Sequence, residues 1–591
     1  MNGFSGWDWA VFVLSLCASL GTGIWAAFVS KRNQKQGDTK GTASEFLMGG
    51  RNMNPIAVAL STMIGAVSSN TVLGNPSETY AYGTQYWLNL IGMTLGMLYV
   101  HFVILKVLYP LKITSVYTYI EKRFKSSALS SFTVFTTLIG TFFFMGLCAY
   151  CPSLAMETVT GFPTWASCLI LGVICTIYSS LGGVRSVVYT DILQTIVLFA
   201  GVLFIMIHSW IDAGGLGAIW ATAEEHGRVE WWNFNPDPLQ RHSFWLVNIQ
   251  GYFSALLVFG MGQPQVQRVC SVSTWKKAIG AFYLNYVVLF CVYLCLYFTG
   301  LSVFAVYADC DPMATGDIVK PDQLLPFYVD DKLSYLHGIS GLFVAALFAA
   351  ALSSYSSQIN AVSAVMWEGF FKNSEWVAKM DENRKPLVNI GVSVVTGMAG
   401  VLAGIIASQL GGIFQVGQTI LGAIHAPLLG LFILGMCCPF ANKIGGSVGF
   451  TVSIIFNFWV TIGSVIYGKG TPYLGFDDDG CDYPTTDFVN STSTTTESWS
   501  WSSTTEGPED DYTFPLYLMS YTLYSLWGTS ITFFVGTVVS LLSKPWSADV
   551  SGKEYIHPAF YKLMKKWEKK HPPKNAFSSE LYLVPVSMEK Q

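Results

Sequence analysis

Apolar stretches of about 20 residues, each long enough to cross a bilayer as a helix, recur along this chain almost to its end. A chain built this way folds in lipid, where every backbone amide needs an internal partner, so the spans must be helices. The composition agrees, with 52% hydrophobic residues and only 12% charged over 591 residues. The apolar runs and their polar punctuation predict thirteen spans, at about 8–29, 53–75, 80–108, 128–150, 163–182, 188–210, 243–266, 278–306, 336–370, 387–409, 412–438, 447–467 and 515–542. The expected class is an all-α polytopic membrane protein whose surroundings are the lipid bilayer.

The first run is followed by Lys31, Arg32, Lys35 and Lys40, whereas a signal peptide carries its positive charges in front. It reads as a retained helix with an extracellular N-terminus. Alternating from there, of 33 Lys and Arg only Arg228, Arg241, Lys320, Lys332 and Lys469 fall on the outer side, and the C-terminus is cytoplasmic. The net charge of −4 therefore says little about partners, and nothing points to nucleic acid.

Most of the twelve cysteines lie inside apolar spans and read as small buried hydrophobes. Cys310 and Cys481 instead sit in acidic outer loops, where a disulfide would persist; pairing and free thiols both remain open. No cysteine or histidine cluster has metal-ligand spacing, and an enzyme is not expected. The Ser/Thr-rich acidic stretch 468–513 is too polar to bury a core, and within it Asn490-Ser491-Thr492 is a glycosylation acceptor on the predicted outer face.

Two spans carry polar, glycine-containing breaks. The second holds Ile64-Gly65-Ala66-Val67-Ser68-Ser69-Asn70-Thr71, and the seventh closes with Phe259-Gly260-Met261-Gly262-Gln263-Pro264. Each break opens a set of five spans, the pattern expected of inverted-repeat secondary transporters, whose ion and solute sites lie at discontinuous helices. The chain accordingly divides into a first span with its flanks (1–51), a first repeat (52–210), an outer loop (211–242), a second repeat (243–438), two further spans (439–545) and a cytoplasmic tail (546–591). The other reading of either break is a kink relieved by neighbouring helices.

In the ninth span, Ala350, Ser353, Ser354 and Ser357 follow one another at i, i+3, i+4 and i+7, so they share a helix face. A hard cation such as sodium takes oxygen ligands, and these hydroxyls with a freed Ala350 carbonyl would complement carbonyls of the broken 64–67 segment. The alternative is a small-residue stripe for close helix packing. No phosphate-cradling Gly-x-x-x-x-Gly-Lys-Ser/Thr run occurs, which leaves an ion gradient as the energy source.

Six runs in order are distinctive: Gly49-Gly50-Arg51; Thr71-Val72-Leu73-Gly74 with Pro76, Glu78, Tyr80 and Gly83; Gly182-Gly183-Val184-Arg185 with Tyr189-Thr190-Asp191; Gln265-Val266-Gln267-Arg268; the Ser353-Ser354 helix; and Ala426-Pro427-Leu428-Leu429-Gly430. Together they resemble the sodium/solute symporter family, over roughly residues 40 to 545, and most of all its monocarboxylate, multivitamin and iodide subgroup. The resemblance implies a leucine-transporter-like 5+5 inverted-repeat core with extra flanking helices, and a plasma-membrane symporter that takes sodium and a small organic solute, a monocarboxylate or vitamin-like anion. It implies sodium held by the main-chain oxygens of Ile64, Val67 and Ala350 and the hydroxyls of Ser353 and Ser354. It implies a solute cavity lined by Ala66, Ser68, Thr71, Asn89, Tyr150 and Gln418, with Asp191 near the ion's inner exit; Asp191 reads equally as a helix N-terminal carboxylate pairing with Arg185.

The chain also departs from the subgroup. An Ala-Ser-Phe-Met-like run is replaced by Ile64-Gly65-Ala66-Val67, an Asn by Gly262, and a Gly-Gly-Pro by His425-Ala426-Pro427. The lost aromatic and amide change the cavity's shape and polarity, and His425 adds an ionisable, pH-sensitive side chain inside a span. These departures motivate a second reading, a sodium-dependent sensor or scaffold that keeps the fold and transports weakly or not at all.

Overall fold

The computed structural model describes residues 4–36, 43–372, 374–381, 384–408, 413–468, 471–477, 480–481, 514–543 and 553–570, and among them the regular structure is helical throughout. Asn490 and most of the Ser/Thr-rich loop lie outside the described residues. Eleven helices are long and apolar enough to cross a membrane, and the bent pair Pro55–Ala66 and Ser69–Tyr82 makes a twelfth span.

One of the eleven accounts for the remaining expected span. Residues expected as two spans, 163–182 and 188–210, form a single 49-residue helical segment, Thr164–Asp212, that turns at Gly183 (φ 57°, ψ −152°). At 1.5 Å per residue it is more than twice as long as the hydrocarbon is thick. Only glycine adopts that backbone conformation readily, and a Cβ there would lie 2.4 Å from the Phe46 carbonyl oxygen.

The broken span starts and stops for local reasons. Asn54 caps Pro55–Ala66 by accepting from Ile56 N at 2.8 Å, with Pro55 at the first helical position, where its missing N–H costs nothing. The helix stops at Val67 (ψ 94°), and Ser68 caps its continuation, Ser69–Tyr82, which leaves at 59° and runs past the expected end at 75. In the seventh span, Phe244–Ala255 passes through a π-helical turn, Leu256–Met261, breaks at Gly262 and resumes as Gln263–Cys270.

At the centre stands Ile339–Met366, buried along most of its length and packed against Thr164–Asp212, Ser127–Thr160, Lys385–Ala407 and the broken helix. Lys443–Tyr467 and Tyr524–Ser543 pack on each other at the periphery. The run Gly445-Gly446-Ser447-Val448-Gly449 has the spacing of a hydrolase nucleophile elbow, but it lies within the continuous helix Lys443–Tyr467, and its glycines meet Ser540, Phe124 and Thr532.

One end of the bundle is knitted by loops. Cys310 and Cys481 form a disulfide, Asp311 N bonds Asp477 O, and Leu474 N bonds Ala81 O. At the opposite end, Tyr119 donates to Tyr555 O and His557 N to Met436 O, which fastens the C-terminal segment.

Candidate ion and solute site

The last four carbonyls of any helix lack intrahelical partners, and the end of Pro55–Ala66 leaves them deep inside the protein, where Ile64 and Val67 are fully buried. The central helix lies across this end. Ser354 donates to Gly65 O at 3.5 Å, and Ala350, Ser353 and Ser354 are all buried without exposure.

Behind the serines lies Asp191. Its carboxylate accepts from Ser61 Oγ at 2.5 Å, Ser353 Oγ at 2.7 Å and Arg268 Nη2 at 2.8 Å, and Arg268 also donates to Ser357 Oγ at 2.5 Å. Asp191 is therefore neither at a helix start nor paired with Arg185, which reaches Gly49 O instead. It sits in mid-helix, and its charge is balanced by Arg268 from the segment after the second break. Because Ser353 gives its proton to Asp191, its oxygen lone pairs remain available for another ligand. Arg268 comes close because position 65 is glycine: a Cβ there would lie 2.0 Å from Nη1.

A cavity of about 210 Å³ runs beside the break. Ala66, Ser68, Thr71 and Gln418 line it, together with His425, Gln250, Gln265 and Gln358. Asn89 lines a smaller pocket that shares Thr71, Gln250 and Gln418 with the first, and accepts from Tyr297 OH at 3.0 Å. Tyr150 lines neither. Its helix presents Val134, Thr137, Leu138, Thr141 and Phe144 to the cavity at helical spacing, and Tyr150 falls off that face. No Lys, Arg, Asp or Glu is among the lining residues. His425 bonds the Leu421 carbonyl through Nδ1 at 3.1 Å, so in the neutral ring that nitrogen carries the proton and Nε2 is the acceptor.

The cavity reaches Tyr117 and Gln263 toward the end where the C-terminal segment is fastened, and Tyr521 toward the disulfide end. Beyond Tyr521 a buried cluster closes the bundle. Glu78 accepts two bonds from Arg241, at 2.8 and 2.9 Å, lies 3.0 Å from His242 Nε2 and accepts from Tyr521 OH at 3.4 Å. The Arg241 guanidinium stands 4.0 Å over the Tyr82 ring. Burial lowers the pKa of His242 while Glu78 opposes that shift.

Sequence reasoning missed Arg268 as the partner of Asp191, the lining by Gln250, Gln265 and Gln358, and the Glu78–Arg241 pair. Arg268 and Glu78 stood in the motifs, but their partners are 77 and 163 residues away, beyond any local pattern.

The model of the Sodium:solute symporter family matches residues 46–452. Sodium-coupled monocarboxylate transporter 1 of Homo sapiens is 36% identical over 90% of this chain and 87% of its own length. The sodium-dependent multivitamin transporter of Oryctolagus cuniculus is 35% identical over 96% and 88%. Among solved structures, a Na+-coupled sialic acid symporter in a substrate-bound outward-open state superposes with TM-score 0.68 at 21% identity, covering 92% of this chain and 99% of that one. A nucleobase-cation-symport-1 family transporter in a closed conformation gives 0.50 at 11%, covering 86% and 98%. The chain shares their fold.

Proposed function

The chain belongs to the sodium:solute symporter family, a sodium-coupled carrier of small solutes, and we propose that its solute is a monocarboxylate or vitamin-like organic anion. Two observations support that class: the relatives named for monocarboxylates and multivitamins align over nearly the whole chain, and the cavity is polar yet free of fixed charge. Without an acidic side chain in its lining, the cavity does not repel an anion.

In this reading the sodium ligands are the carbonyls of Ile64, Val67 and Ala350 and the hydroxyls of Ser353 and Ser354. The observation that carries it is the meeting of the broken helix with the serine helix, where Ser354 reaches Gly65 O and Ser353 turns its proton to Asp191. Asp191 is a positioning residue that keeps the Ser353 lone pairs toward the ion, and Arg268 balances its charge when sodium leaves. Ala66, Ser68, Thr71 and Gln418 line the solute's place, with Asn89 beside it.

The repeats 52–210 and 243–438 then move against each other about this site. By the positive-inside rule the N-terminus is extracellular and the C-terminus is cytoplasmic, and the family resemblance implies that the membrane is the plasma membrane. The Glu78–Arg241 cluster closes the outer end, and the cavity extends inward. The carrier does no covalent chemistry of its own.

At a membrane potential of about 60 mV and a tenfold gradient, one sodium ion supplies about 1.4 kcal/mol from each source. An anion travelling with one ion cancels the electrical part, so a monocarboxylate favours coupling to a second. Ser353→Ala with Ser354→Ala abolishes sodium-dependent uptake and leaves surface expression intact; normal uptake in that variant would overturn the ion site.

A further inference from the structure

The last described helix, Pro558–Lys570, has the sequence PAFYKLMKKWEKK, with five lysines against one glutamate. Its start is pinned to two membrane spans. His557 N donates to Met436 O at 3.0 Å, His557 Nε2 lies 3.0 Å from Phe102 O, and Tyr119 OH donates to Tyr555 O at 2.9 Å. Met436 is the second-last residue of the span Gly417–Cys437, and Phe102 lies one turn before Lys106 of the span Thr84–Leu111, with Lys106 Nζ 5.3 Å from its ring. The helix therefore begins at the level where hydrocarbon gives way to headgroups.

Its faces divide sharply. Ile556, just before the helix, and Met564 are buried against the bundle, at 3% and 8% exposure. Phe560 and Leu563, one turn apart on the neighbouring stripe, are left 38% and 69% exposed. Lys562, Lys565 and Lys566 stand exposed on the side away from Met564 and Phe560. A helix bound only to protein gains nothing from that bare apolar stripe. A helix at a membrane surface buries it among acyl chains while the lysines reach the headgroups.

We propose that Pro558–Lys570 is an interfacial helix that binds anionic phospholipid headgroups, its Phe560–Leu563 stripe in the acyl boundary and Lys562, Lys565 and Lys566 on the phosphates. The charge complementarity selects an anionic leaflet over a neutral one, and the interaction weakens with salt as the Debye length shrinks. The proposal is independent of the solute and of the ion site.

The test is amide hydrogen exchange of residues 558–570 in the full-length protein, reconstituted in nanodiscs of phosphatidylcholine alone or with about 30% phosphatidylserine. The helix exchanges about tenfold more slowly with phosphatidylserine, and raising the salt reduces the difference. Lys562→Gln, Lys565→Gln and Lys566→Gln together remove the difference, while exchange in Ile339–Met366 stays as in the parent and reports an intact bundle. Equal exchange of the parent helix in the two lipid compositions overturns the proposal, whether the helix is protected by protein in both or by nothing in either. So does a phosphatidylserine effect that persists in the triple variant.

Discussion

At Gly65 the absence of a side chain matters most, because Arg268 Nη1 stands 2.0 Å from where a Cβ would be. The missing side chain makes room for a guanidinium that donates to Asp191, which in turn accepts from Ser353 beside the proposed ion site. His425 acts on the cavity side. It lines the cavity and is the one imidazole among the lining residues, so its protonation adds positive charge where the proposed anion binds. Acidifying the medium to below about pH 6.5 raises sodium-dependent uptake of the anionic solute as the ring gains its proton, and His425→Gly flattens the profile. A variant that kept the parent's pH profile would remove His425 from the pathway. The serine pair was legible because i, i+3, i+4, i+7 spacing names a helix face directly. Arg268 was not, because its role depends on a notch in another helix.

Helices in this chain are defined as much by where they fail as by where they continue. Both breaks were legible, since a cluster of Gly, Ser, Asn and Gln inside an apolar run leaves backbone groups that must find partners within the protein. The turn at Gly183 was legible too: Gly182, Gly183 and Arg185 mark the break between the expected spans 163–182 and 188–210, and the backbone leaves the helical conformation at Gly183. Closure of the disulfide end depends on Glu78 from the broken span meeting Arg241 from the loop before Phe244–Ala255. Removing one member of a buried ion pair leaves the other uncompensated, typically at about 3–5 kcal/mol. Glu78→Gln therefore opens that end: a cysteine placed at the cavity residue Ser254 reacts at least about tenfold faster with an impermeant thiol reagent added from the disulfide side. An unchanged rate would mean that the cluster does not seal the cavity.

Across the whole molecule, the all-α polytopic class was read from the recurring apolar runs, and the all-helical bundle around one buried central helix agrees with it. The packing of the loops was not readable, because acidic, Gly-rich connections carry no periodicity. The Cys310–Cys481 disulfide joins loops 171 residues apart, and Asp311 beside it accepts from Tyr80 of the broken helix. A cross-link over so long a stretch restricts the unfolded chain by typically about 2–4 kcal/mol. Cys310→Ser lowers the thermal midpoint of the detergent-solubilised protein, and an unchanged midpoint would show that the loops hold without it. The central claim is coupled transport, and it is tested most directly by uptake of labelled lactate, pyruvate, butyrate, biotin, pantothenate, iodide and choline into cells expressing the chain, with sodium or with an impermeant cation in its place. At least one of the organic anions accumulates above its equilibrium level, and only when sodium is present. Sodium currents without accumulation of any solute, or uptake that is equal in both media, would contradict it.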